Sequence, residues 1–77
     1  MAKTKVTVYG INTYQKRIDV DVTGAINRPA AENEAAKAKR KEEQKLLQEG
    51  YEWGSVQISP QGRGNYLVTH TYFKDSV

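Results

Sequence analysis

Tyr51-Glu52-Trp53-Gly54-Ser55-Val56-Gln57-Ile58-Ser59-Pro60-Gln61-Gly62-Arg63-Gly64-Asn65-Tyr66-Leu67-Val68-Thr69-His70-Thr71-Tyr72-Phe73 decides how this chain is read. Two runs of strand character meet at the turn formers between Ser59 and Asn65, which makes a hairpin. Side chains in a strand alternate between faces, so Trp53, Tyr66, His70 and Tyr72 share one side and Val56, Ile58, Leu67 and Phe73 the other. On this alternation Ile58 pairs with Leu67, Val56 with Thr69 and Trp53 with Tyr72. The aliphatic side is the expected core. The aromatic side then forms a second face that takes flat rings or another copy of the chain.

Upstream, Lys5-Val6-Thr7-Val8-Tyr9 and Arg17-Ile18-Asp19-Val20-Asp21-Val22-Thr23 also alternate, with β-branched residues at every second position. The short link Gly10-Ile11-Asn12-Thr13-Tyr14-Gln15 makes them an antiparallel hairpin. Setting Val8 against Ile18 puts Val6 against Val20, Thr7 against Asp19 and Lys5 against Asp21, which matches apolar with apolar and acid with base. Asp19 and Asp21 are thereby read as solvated partners of Arg17 and Lys5.

Between the hairpins, Asn27 to Gly50 is rich in Ala, Glu, Lys and Gln, good helix formers. Asn27 suits the N-cap, Pro29 the first turn and Gly50 the left-handed stop. The helix is about 30 Å long at 1.5 Å per residue, which is expected to exceed any strand. Ala31, Ala35, Ala38, Glu42 and Leu46 share one stripe. Lys37, Arg40, Lys41, Gln44 and Lys45 gather opposite, either as a solvated face with pairs Lys39–Glu43 and Lys45–Glu49 or as contacts for phosphates. The predicted fold is α+β in the order ββαββ: a four-stranded antiparallel sheet of two hairpins with the long helix packed on one face, over Val6, Val8, Ile18, Val20, Val56, Ile58 and Leu67.

The run Glu43-Gln44-Lys45-Leu46-Leu47-Gln48-Glu49-Gly50-Tyr51-Glu52-Trp53, followed by a hairpin ending near Lys74, resembles small uncharacterised bacterial and phage domains. In those a helix ending in Leu-Leu leads through a Gly-Trp-Glu-like element into a terminal hairpin. Here Tyr51 follows the glycine and Trp53 comes two positions later. The resemblance covers residues 43–74 and implies one sheet layer with one helix; it carries no catalytic residue over.

The 77 residues are expected to form a single domain over 1–77, with a core small enough that a homo-oligomer is expected. The chain has no cysteine, so it has neither disulfide nor thiolate nucleophile, and it suits a reducing interior. The start Met1-Ala2-Lys3-Thr4-Lys5 lacks the apolar segment of a signal peptide and no run is long enough to cross a bilayer. A cytoplasmic protein without membrane contact is expected. The net charge of +3 tilts toward acidic partners.

Nothing in the sequence names a reaction. His70 is the one histidine, Ser55, Ser59 and Ser76 lack a nucleophile elbow, and no phosphate loop, dinucleotide fingerprint or zinc spacing is present. The chain is read as no enzyme, with no cofactor and no metal. The turn around Arg63 has two readings: a hairpin loop with positive φ at its glycines, or a cradle whose guanidinium forks onto an anion. Two functions follow. One is a binder of an anionic, ring-bearing ligand, a nucleotide or single-stranded nucleic acid, held by Arg63, Tyr66, Trp53, His70 and Tyr72 with phosphates on Lys37, Arg40, Lys41 and Lys45. The other is an assembly module that uses the aromatic face against a host protein or its own copy.

Overall fold

A computed structural model describes residues 2–74; Met1 and residues 75–77, including Ser76, lie outside it. The order is β1 (Lys3–Asn12), β2 (Gln15–Thr23), α1 (Arg28–Gln48), β3 (Tyr51–Gly62) and β4 (Asn65–Lys74). The strands form one antiparallel sheet in the order β1-β2-β4-β3, with β2 and β4 inside and β1 and β3 at the edges. The ββαββ architecture expected from the sequence is the one found.

The first hairpin has the expected register, Val8 opposite Ile18, Val6 opposite Val20, Thr7 opposite Asp19 and Lys5 opposite Asp21. The helix ends are also as read. The Asn27 side chain accepts from the Ala30 N–H at 2.9 Å, and Gly50 stops the helix at φ +97°. Lys39 pairs with Glu43 as expected, but Lys45 pairs with Glu42, and Glu49 is taken by Lys16 at 3.1 Å. Strands of up to twelve residues reach roughly 40 Å at 3.3 Å per residue. The helix, at twenty-one residues and about 32 Å, therefore does not outrun the sheet.

The second hairpin departs from its expected register, and the reason is one residue. Trp53 does pair with Tyr72, but Ser55 pairs with Thr71, so Gly54 is extra on β3 and the ladder is bulged there. Beyond the bulge Val56 lies opposite His70 and Ile58 opposite Val68, where alternation alone had set Thr69 and Leu67. A slip of one residue exchanges faces. Val56 and Ile58 therefore lie on the same side as Trp53, Tyr66, His70 and Tyr72.

That side is the core. On β2, Val22, Val20 and Ile18 face Tyr66, Val68 and His70, and Ile18, Val20, Val68 and Tyr72 are fully buried. The aromatic residues expected on a free second face thus lie on the helix side of the sheet, with His70 and Tyr72 buried there, and Leu67 and Phe73, expected in the core, lie on the open face. The open face still binds its own groups together. Arg17 stacks over the Tyr9 ring at 4.8 Å and meets Asp19 at 3.0 Å, and the Phe73 ring lies over Gly54, where an added Cβ would come within 2.2 Å of it. A side chain at this position would have to push the half-exposed Phe73 ring aside.

The helix contributes Ala31, Ala35, Lys39 and Leu46 as its buried row. Alanines let its axis come close to the sheet, the row continues at four-residue spacing into a lysine, and Ala38 of the expected stripe packs against the core partly buried. Two substitutions separate the observed register from simple alternation. Val68→Asp is expected to unfold the protein, because a carboxylate without a partner costs more than a domain of this size has in reserve. Leu67→Lys is expected to stay folded within about 1 kcal/mol, since it faces Asp21 on the open side. Circular dichroism and thermal melts check both, and the reverse ranking would refute the assignment of faces.

Candidate functional site

The polar heart of the core is a triangle. Lys39 Nζ donates to the Tyr72 hydroxyl at 2.8 Å and to Glu43 Oε2, and the Tyr72 hydroxyl donates to the same carboxylate oxygen at 2.5 Å. Tyr72 is fully buried, so its ring is not available for stacking; its hydroxyl needs a partner in that position and the helix supplies two. Burial raises the Glu43 pKa, but the hydrogen bonds from Lys39 and Tyr72 and the lysine charge outweigh it and hold the carboxyl below its ordinary value. Burial, with the Glu43 hydrogen bond and charge, drives the Tyr72 hydroxyl far above its ordinary value.

His70 lies next to this triangle, 4% exposed, and its Nδ1 has no hydrogen-bond partner among the described residues. Burial, then the Lys39 charge, lowers its pKa, so the ring is neutral at neutral pH; the Ile18 backbone and the carboxylates Glu43 and Asp19 oppose this without reversing it. A nearly buried imidazole with an unmatched nitrogen is a vacancy in the hydrogen-bond network.

That imidazole lines a groove of about 300 Å³ between α1 and the edge strand β3, together with Glu32, Asn33, Ala36, Lys39, Trp53, Val56 and Val68. The groove exists because one narrow helix does not cover four strands. Trp53 is 52% exposed and Val56 41%, although both lie on the helix side of the sheet. A volume of this order is at the lower bound for small-molecule sites, and an apolar lining with a few polar groups is the usual composition of one.

The expected site residues therefore separate. Trp53 and His70 meet in the groove. Tyr66 lies at the other end of the sheet, in an open depression of about 440 Å³ with Lys3, Lys5, Asp21, Gln61 and Asn65. Arg63 is exposed in the β3–β4 turn, where Gly62 and Gly64 both have positive φ and the Gly64 carbonyl accepts from the N–H groups of Gly24 and Ala25 at 2.9 Å. The hairpin-loop reading of that turn accounts for its glycines. Arg63 stands ten residues from Trp53, on the order of 30 Å along the strand, and cannot share a mononucleotide with it.

Of the four helix cations, all exposed, Arg40 is one turn beyond Ala36 and so on the groove's own flank. Lys37 lies on the outer crest. Lys41 and Lys45 are rotated from Ala36 by about 140° and 180° at 100° per residue and point away from the groove. Sequence reading missed Asn33, Ala36, Lys39, Glu43 and Val56 as site residues. The signal for Lys39 was there, since Ala31, Ala35 and Lys39 are spaced by four and Glu43 follows at the same interval.

Among the described residues no group of three or more His, Asp or Glu is placed to hold a metal ion, and no helix is long and apolar enough to cross a membrane. No family model matches the chain, and comparison with curated proteins and solved structures finds none similar to it.

The two lowered pKa values give a directional pH test. With folded values below the ordinary 6.5 of His70 and 4.5 of Glu43, the unfolded chain takes up protons first as pH falls. Both contributions are complete above those values and are lost in acid, His70 first. Denaturant titrations at about pH 7.5, 5.5 and 4 are expected to show falling stability across both intervals. In His70→Phe the loss in the upper interval is expected to shrink; an unchanged slope there would contradict the account.

Proposed function

We propose that this protein is a non-catalytic binding module that takes an anionic, ring-bearing ligand, a nucleotide or single-stranded nucleic acid, in the groove between α1 and β3. One observation carries the reading: a half-exposed tryptophan stands over a groove whose base holds a nearly buried imidazole with an unmatched nitrogen. A flat heterocycle stacks on Trp53 and turns a polar edge toward His70 Nδ1, which supplies the missing partner. Asn33 at the rim offers both a donor and an acceptor. Arg40, on the same flank, meets the attached phosphate, and Lys37 extends the positive surface along the helix. The net charge of +3 favours approach of such a ligand. Relative to the sequence reading the ligand class is kept and its seat moves from the Arg63 turn to the groove. A reducing, cytoplasmic setting suits a chain without cysteine.

A protein occupant is the second reading, favoured by the apolar surface that runs from the groove through Val56 to the free edge of β3. Trp53 is the one tryptophan of the chain, so its fluorescence reports on the groove directly. Titration with adenosine 5′-monophosphate and a short oligothymidylate at moderate salt is expected to quench it. Trp53→Ala, followed calorimetrically, is expected to cost about 1–3 kcal/mol of binding. Arg40→Ala is expected to cost up to about 1 kcal/mol, since its charge is solvated, and Arg63→Ala nothing. No response to either probe, in a protein that purifies without absorbance at 260 nm, would move the weight to the protein occupant.

A further inference from the structure

β1 and β3 are both open edges, and they differ in a way that bears on assembly. β1 carries Lys3 and Lys5, the kind of charge that keeps an edge from pairing. The regular stretch of β3, Ser55-Val56-Gln57-Ile58-Ser59, has no charge at all. It is bounded by the bulge at Gly54 on one side and on the other by Pro60, which has no N–H to give to a ladder. Within it Val56 and Ile58 lie on the helix side, opposite His70 and Val68, and Ser55, Gln57 and Ser59 on the open side, opposite Thr71, Thr69 and Leu67.

This pentad has the same polarity pattern in both directions. We infer that β3 pairs antiparallel with β3 of a second copy about a two-fold axis at Gln57, joining two sheets into one of eight strands. The symmetric register puts Ser55 opposite Ser59, Val56 opposite Ile58 and Gln57 opposite itself, so apolar meets apolar on the helix side and hydroxyl meets hydroxyl on the other. Any other register leaves members of the pentad against the bulge or the proline. Counting outward past the two irregularities, Glu52 of each copy runs alongside the Arg63 turn of the other, which places opposite charges at both ends.

The second copy also completes the groove. Val56 is 41% exposed because nothing stands beyond β3, and Ile58 of the second copy would lie directly beside it, closing the side of the groove that faces the edge. This inference rests on the edge and its pattern and holds whether or not a nucleotide binds.

Because the chain has no cysteine, a single introduced one reads the axis. Residues directly opposite in an antiparallel pair have Cα atoms about 4.5–5.5 Å apart, inside the range a disulfide spans. Gln57→Cys is expected to cross-link to a dimer under mild oxidation, while Ser59→Cys, paired with Ser55, and Thr7→Cys, on the β1 edge, are not. Sedimentation at micromolar concentration is expected to give a dimer for the parent. Gln57→Lys, which sets like charges face to face, is expected to raise its dissociation constant about tenfold or more. Glu52→Lys and Arg63→Glu are each expected to weaken the dimer and together to restore it. A monomer throughout, a dimer indifferent to Gln57→Lys, or cross-linking at Thr7→Cys in place of Gln57→Cys would overturn the inference.

Discussion

One helix has to exclude water from one face of four strands, and that constraint organises the rest of the molecule. The helix approaches the sheet closely because Ala31 and Ala35 form its buried row, and it thereby seals Ile18, Val20 and Val68 completely. Each such side chain contributes roughly 1.5–3 kcal/mol on burial. A helix is only about 10 Å across with its side chains, whereas four strands at about 4.8 Å spacing span more than that. Cover is therefore full over the central strands and incomplete at the margin. The half-exposed Trp53 and Val56 and the groove beside them follow directly from that shortfall.

The alanine row solves one problem and creates another, since small residues leave the helix with little apolar area to bury. The triangle of Lys39, Tyr72 and Glu43 takes up this deficit by tying the helix to the central strand β4 through directional bonds. Tyr72 fills volume the alanines leave and brings a hydroxyl that must be matched. Lys39 and Glu43 match it and neutralise each other. The cost falls on His70, which has a positive charge near it, little water and no partner for Nδ1. Of the buried side-chain atoms without a hydrogen-bond partner among the described residues, His70 Nδ1 is the one that lines an open groove, which directs attention to the groove as a place of recognition.

The sequence made the element order, the helix caps and the register of the first hairpin from Lys5 to Val8 legible, because there the valines of β1 meet apolar residues of β2 and Lys5 meets Asp21, while the irregularity between Gly10 and Asn12 went unread. The second hairpin was legible only in part. Nothing in Trp53-Gly54-Ser55 announces which of its residues is extra, and parity beyond a bulge cannot be counted across it. Gly54 is the physical clue, since a glycine in a strand interior marks a bulge or a close approach, and here it is both, with Phe73 on top of it. Once parity slipped, Tyr66, His70 and Tyr72 were read as outward when they are core. Trp53 and His70 still come together because each borders the groove, which depends on helix width and not on any motif. At the Arg63 turn the sequence left two readings, a hairpin loop and an anion cradle, and the fold shows the positive φ of Gly62 and Gly64 that the loop needs.

Recognition in the groove is tested most directly by amide and indole chemical shifts in the isotopically labelled protein. On addition of a mononucleotide, perturbations are expected to cluster at the Trp53 indole, Val56, His70, Asn33 and Arg40, with the Arg63 turn and the open face around Tyr9 and Thr69 unmoved. Perturbations centred on Arg63 and Tyr66, or spread over the open face with Trp53 silent, would contradict it.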